Sequence, residues 1–171
     1  MQNLSGLEER QSRMGGPLGN LEPYQQALEQ TFERRGVVLA YLYGSQARDD
    51  AGPLSDVDVA VLFEPGVPES ERFRRVLHLI GELGSVFGRD DVYVVDLADA
   101  SPLLRHRVYY DGVVLTCPDD AVRVRFATEA LRDYVDTEPL RRIKRHYVLG
   151  HFTRPGVKAD AVTEYEERGH T

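Results

Sequence analysis

Val37-Val38-Leu39-Ala40-Tyr41-Leu42-Tyr43-Gly44-Ser45, then ten further residues, then Asp56-Val57-Asp58-Val59-Ala60-Val61-Leu62-Phe63: this stretch decides the fold. Both halves are β-branched, apolar runs of strand length, and Glu64-Pro65-Gly66 stops the second. Side chains alternate along a strand, so Asp56 and Asp58 share one face while Val57 and Val59 turn into the core. Two carboxylates ~6 Å apart repel by about 2–3 kcal/mol at an effective dielectric of ~20. A half-buried strand face holds such a pair ionised only with a compensating cation. Oxygen-only donors beside a phosphate-compatible turn favour Mg²⁺ or Mn²⁺ over zinc. Asp-x-Asp alone is common and fits an idle, solvated pair at a strand mouth. The Gly-Ser corner, with Ser55 before Asp56, is what argues for a site.

The corner has its own logic. Gly44 lets the chain turn sharply and lets backbone approach a phosphate. Ser45 offers a hydroxyl and an N–H, and Gln46-Ala47-Arg48 can begin a helical turn whose N-terminus attracts anions. Arg48 and Arg105 are candidates for triphosphate oxygens, since the guanidinium fork suits phosphate, and either can equally pair with acidic Asp49-Asp50. No Gly-x4-Gly-Lys-Ser/Thr occurs, so the chain is not a P-loop nucleotide binder. The candidate set is Asp56 and Asp58 as catalytic and metal-binding acids, with Gly44, Ser45, Arg48 and Ser55 toward the nucleotide.

Gly44-Ser45-Gln46-Ala47-Arg48 followed by Ser55-Asp56-Val57-Asp58-Val59-Ala60-Val61 resembles the minimal nucleotidyltransferases of the polymerase-β superfamily. More narrowly, the chain is similar to the MNT antitoxins encoded beside HEPN-domain toxins. The likeness extends to Val95-Asp96-Leu97, Ala100-Ser101-Pro102-Leu103-Leu104-Arg105 and Asp111-Gly112-Val113-Val114-Leu115. It spans roughly Val37 to Cys117, with looser similarity to Tyr134. The resemblance implies Mg²⁺-dependent transfer of AMP from ATP to a tyrosine hydroxyl of a cognate HEPN toxin, which is thereby silenced. Two alternatives accompany it. One is a non-catalytic antitoxin that neutralises by binding. The other is an antibiotic-type, small-molecule nucleotidyltransferase, for which the residues after Cys117 are short.

The sequence departs from the family pattern in two places. Relatives commonly carry Gly after the position of Arg48, where this chain has Asp49. The superfamily's third carboxylate lies on the strand beside the Asp-x-Asp strand, where relatives read Val-Asp-Leu-Val-Asp-Leu. This chain reads Val92-Tyr93-Val94-Val95-Asp96-Leu97, and an ungapped alignment puts Tyr93 at the third acid. Asp91 and Asp96 are the remaining candidates. Asp96 falls on the opposite face, and Asp91 shares the face of Tyr93 about 7 Å toward the strand start.

The rest of the chain is consistent with one small α+β domain of the nucleotidyltransferase fold, a mixed sheet backed by helices. Its 171 residues suit one core. Residues 1–19 read as a mobile tail, 20–118 as the nucleotidyltransferase domain and 119–171 as a helical extension and tail. Asn20 is a candidate cap for a helix carrying Leu21, Tyr24, Leu28 and Phe32. A second helix is expected to bury Phe73, Val76, Leu77, Ile80 and Leu83, ending near Gly84 and Gly88. Ser101-Pro102 starts a third, and Asp119 or Asp120 caps a fourth that Thr137-Glu138-Pro139 interrupts.

A net charge of −7 argues against a nucleic-acid coat protein, so no direct DNA binding is expected. Between Arg123 and Arg154, however, eight Arg/Lys face four Asp/Glu. A solvated helix face is the plain reading of that stretch, and a docking surface for an acidic partner the sharper one. The single Cys117 excludes an intrachain disulfide and fits a reducing compartment. The histidines lack metal-ligand spacing. No membrane span or leader is visible, so a cytoplasmic location is expected, with homo-oligomerisation left open.

Overall fold

The computed structural model describes residue 18 and residues 20–48 and 55–144. Residues 1–17 and 19 of the expected N-terminal tail, Asp49-Asp50, and the basic stretch from Arg145 onward lie outside the described residues. The elements run in the order α1 (Gln25–Arg34), β1 (Val37–Tyr43), β2 (Val57–Phe63), α2 (Glu69–Phe87), β3 (Val92–Asp96), α3 (Pro102–Asp111), β4 (Val113–Thr116) and α4 (Asp120–Asp136). The chain divides into two compact units, Met1–Ala130 and Leu131–Thr171.

In the first unit the sheet runs in the order β3-β2-β1-β4. β1 pairs antiparallel with both β2 and β4, and β2 pairs parallel with β3. The parallel pair needs a crossover, and α2 supplies it. Val57, Val59 and Val61 are fully buried among Leu28 and Phe32 of α1 and Leu79 and Leu83 of α2. The opposite sheet face packs Leu39, Tyr41 and Ala60 against Val108 of α3 and Phe126 and Ala130 of α4. Asp58 belongs to this second face by alternation. β1 reaches both cores through an irregularity between Val37 and Leu39. Val37 therefore joins the α1/α2 core while Leu39, two residues on, joins the other.

Two local expectations are corrected. Asn20 does not cap an α-helix. Its Oδ1 accepts from the Glu22 N–H at 3.0 Å and starts the 3₁₀ turn Glu22–Tyr24, and α1 begins only at Gln25. The buried face of α2 also differs from the expected one. Leu79, Leu83 and Phe87 are buried with Val76 and Ile80 against them, whereas Phe73 is 65% and Leu77 53% exposed. Phe73 instead lines a groove of about 650 Å³ beside β3, together with Val94, Asp96 and Ala100. Other ends match their residues. The Ser101 side chain accepts from the Leu104 N–H, and Asp119 Oδ1 accepts from the Ala121 N–H at 2.9 Å.

In the second unit the helical backbone pauses at Thr137 and resumes over 138–144. Thr137 Oγ1 donates to the Asp133 carbonyl at 2.7 Å, and the Arg141 guanidinium lies 3.8 Å from the centroid of the Tyr134 ring. No helix among the described residues is long and apolar enough to cross a membrane.

Candidate active site

β1 ends at Tyr43, whose register partner on β2 is Asp58. Gly44 then takes φ +75°, a left-handed conformation that glycine adopts without a steric penalty. There is a second reason for glycine here. A β-carbon at this position would overlap Asp58 Oδ2 and lie 3.3 Å from Asp58 Cγ. The corner is therefore shaped around the Asp58 carboxylate. Ser45 follows at the turn, and Gln46–Arg48 form a single 3₁₀ turn. The Arg48 side chain lies outside what the structure describes.

Asp56 stands immediately before β2 and Asp58 is its second residue, both partly exposed, with fully buried Val57 and Val59 alternating between and after them. No ion pair engages either carboxylate among the described residues. Burial first, and the neighbouring Asp56 charge second, push the Asp58 carboxyl above its ordinary range. The donor set suits a hard ion held through oxygen. Among the described residues no group of three or more His, Cys, Asp or Glu converges to hold a metal, so an ion here would rest on these two carboxylates.

Two side chains that sequence reading did not single out hold the start of β2. Gln46, 8% exposed, donates through Nε2 to the Ser55 carbonyl at 3.1 Å and accepts from the Leu18 N–H at 3.0 Å. Arg89, also 8% exposed, donates to the same Ser55 carbonyl at 2.6 Å. Ser55 thus contributes its backbone to positioning Asp56. Arg89 follows directly on Gly88, whose φ of +66° ends α2 in a left-handed cap. Gln46 lay inside the quoted motif, and a lone arginine after a helix-stopping glycine was the only signal for Arg89.

Three strands bring Tyr43, Asp58 and Tyr93 into one row. Asp58 pairs with Tyr43 across the antiparallel β1–β2 ladder and with Tyr93 across the parallel β2–β3 ladder. Tyr43 is withdrawn, its hydroxyl pushed up to about 12 by burial and then by the Asp58 charge. Tyr93 is 56% exposed.

The two other acids considered for this position are engaged elsewhere. Asp91 forms a two-pronged pair with Arg89, at 2.7 and 2.5 Å, which holds its carboxyl below the ordinary range. Asp96 is bound by Arg72 of α2 at 2.6 Å, on the sheet face away from Asp58, and Arg72 also reaches Asp99 at 2.9 Å. Arg105 pairs with Glu129 at 3.3 Å and lies over the Phe126 ring.

The fold has close counterparts. A chain from a crystal structure of a toxin–antitoxin with AMP-PNP superposes with a TM-score of 0.60 at 24% identity, covering 73% of this chain and 98% of that one. A chain from tri-AMPylated Shewanella oneidensis HEPN toxin in complex with MNT antitoxin gives 0.58 at 22% identity, over 76% and 99%. One from the toxin–antitoxin pair MntA-HepT gives 0.57 at 22%, over 75% and 98%. No curated protein matches the chain at a significant level. Residues 26–121, more than half the chain, match the family described as polymerase beta, nucleotidyltransferase. With that match laid over the Gly44–Asp58 corner and the mixed sheet that carries it, the chain belongs to the polymerase β nucleotidyltransferase family.

Proposed function

We propose that this chain is an antitoxin of the minimal nucleotidyltransferase type, which transfers AMP from ATP to a tyrosine hydroxyl of a cognate HEPN toxin. The observation that carries the reading is the unpaired Asp56–Asp58 pair, with glycine where any side chain would strike the second carboxylate. Similar structures hold AMP-PNP in one case and an AMPylated HEPN toxin with its MNT antitoxin in another. That likeness is one of fold, and the acceptor is inferred from it.

In this reading Asp56 and Asp58 hold Mg²⁺ or Mn²⁺, which when bound neutralises charge on the triphosphate and on the leaving pyrophosphate. Gly44 and Ser45 present backbone N–H groups and a hydroxyl to the β- and γ-phosphates, as the start of a helical turn does for anions. Arg48 is assigned a second-rank phosphate contact, and Gln46 and Arg89 keep Asp56 in place through the Ser55 carbonyl. The acceptor hydroxyl attacks the α-phosphorus in line, and pyrophosphate departs. Asp91 is a poor base while paired to Arg89, so the acceptor's proton leaves to solvent or to a group on the partner. Transfer on this account is slow, because no dedicated base stands beside the pair among the described residues.

The test is transfer of labelled AMP from ATP to the neighbouring HEPN protein by wild type and by Asp56→Asn. Loss of label in the variant is expected, and equal labelling by both would end the assignment. Tyr93 beside Asp58, in place of an acid, favours a second reading in which the chain neutralises its partner by binding alone. Asp56→Asn/Asp58→Asn separates the two. Protection of cells retained by the double variant, with no AMP adduct on the partner, selects simple binding.

A further inference from the structure

We propose that Tyr93 is itself a nucleotidyl acceptor, so that the site can transfer a nucleoside monophosphate to a hydroxyl of its own chain. The inference rests on the nucleotidyltransferase reading above and adds a second acceptor to the same site.

The placement comes from the sheet. Tyr93 is the register partner of Asp58 on the neighbouring parallel strand, and adjacent strands lie ~4.8 Å apart. Val92 and Val94 on either side of it enter the same core as Val57 and Val59, so Tyr93 and Asp58 project from the same face. The residue is 56% exposed, unusual for a large aromatic in a strand that carries buried residues on both sides of it. No hydrogen bond engages its hydroxyl among the described residues. Tyr43, the other phenol flanking Asp58, is partly buried and packs on the core that holds Leu39 and Tyr41. Of the two tyrosines in register with Asp58, Tyr93 is the exposed one.

The chemistry follows from the proposed reaction. A site that nucleotidylates a tyrosine on another protein already accepts a phenol as nucleophile. A phenol tethered one strand away meets the α-phosphorus without the entropic cost of a second molecule binding. Tyr93 Oη forms a bond to the α-phosphorus of the nucleoside triphosphate, and the bond from that phosphorus to the α,β-bridging oxygen breaks. Pyrophosphate leaves with the electron pair, and the phenol proton passes to the water around the exposed ring. The product, a Tyr93 phosphodiester, stands in the acceptor's place and closes the site to other hydroxyls. Self-transfer therefore limits transfer to the partner.

The full chain, incubated with Mg²⁺ and ATP and no partner, is expected to gain one AMP, located on Tyr93 by peptide mass spectrometry. Tyr93→Phe is expected to lose that adduct while circular dichroism and calorimetric binding of Mg·ATP show a folded, nucleotide-competent chain. Wild type should also lose partner labelling after preincubation with ATP, and Tyr93→Phe should not show that time-dependent loss. An unmodified wild-type chain that nonetheless binds Mg·ATP overturns the inference, as does an adduct on another residue or one that persists in Tyr93→Phe. If the HEPN partner is labelled and the chain is not, only this inference fails. If neither is labelled, the proposed function falls with it.

Discussion

Gly44 and the Asp58 carboxylate meet across the β1–β2 pair so closely that the glycine's missing side chain is part of the site. A β-carbon there would overlap Asp58 Oδ2, and the backbone at that point has φ +75°. Gly44→Ala therefore combines left-handed strain with displacement of the carboxylate. The expected cost is about 1–3 kcal/mol in chemical denaturation. Calorimetry should show Mg·ATP affinity falling at least about tenfold, since metal ligands tolerate little misplacement. Unchanged affinity would mean that the corner does not shape the site.

Asp58→Asn should separate stability from binding. Burial and the Asp56 charge raise the Asp58 carboxyl in the folded state, so the ionised form is disfavoured there. A group whose folded pKa is raised contributes most below its unfolded pKa, and that contribution is lost as pH rises through the folded value. At neutral pH the charge therefore works against folding. Removing it should raise the melting temperature of the ion-free protein at pH ~7 and leave it little changed at pH ~3, below both values. The same variant should lose Mg·ATP binding at least about tenfold. A lower melting temperature at neutral pH would contradict this account.

Arg89 anchors two groups at once, Asp91 and the Ser55 carbonyl, with only 7% of its own side chain exposed. Arg89→Met should cost about 2–4 kcal/mol at neutral pH, because it strands a partly buried carboxylate and leaves the Ser55 carbonyl to Gln46 alone. The Asp91 carboxyl is depressed by Arg89 in the folded state. Its contribution is therefore present above the unfolded value of about 3.9 and lost as pH falls through the folded value. The gap between wild type and Arg89→Met in urea denaturation should narrow on acidification below pH ~4. A gap of constant size would show that packing, and not the ion pair, carries the effect.

Asp96 matches a family aspartate in sequence, yet its side chain is committed to Arg72 in the first turn of α2. Asp96→Asn should destabilise the chain by about 1–3 kcal/mol while leaving Mg·ATP affinity within about twofold of wild type. The comparison with Asp58→Asn is informative, since one aspartate is expected to favour stability without binding and the other binding without stability. Loss of nucleotide binding in Asp96→Asn would return it to the list of site residues.

What could be read from residues alone were the features with a short period. Alternation in Val57-Asp58-Val59 placed the acids on one face, and glycine and proline marked the ends of the runs. Those rules act over a few residues and survive without knowledge of the partner strand. The α+β order of elements and the mixed sheet followed from them. Helical spacing on α2 was legible too, but not which neighbours it meets. Phe73 and Leu77 recur at the right interval, yet both are exposed, Phe73 over the β3 groove, while Leu79, Leu83 and Phe87 fill the core.

Contacts across the sheet depend on tertiary structure. Gln46 finds the Ser55 carbonyl nine residues away and Arg89 finds it across thirty-four. A polar side chain in a loop has many partners open to it until the sheet assembles. The sequence by itself determined that two acids would lie beside a glycine-serine corner on a strand face. Only the folded chain decided what stands beside them: a withdrawn Tyr43 on one side and an exposed Tyr93 on the other, with Asp91 and Asp96 tied to arginines. Strand register and salt-bridge partners are set by the packing of whole elements, and no local pattern encodes that.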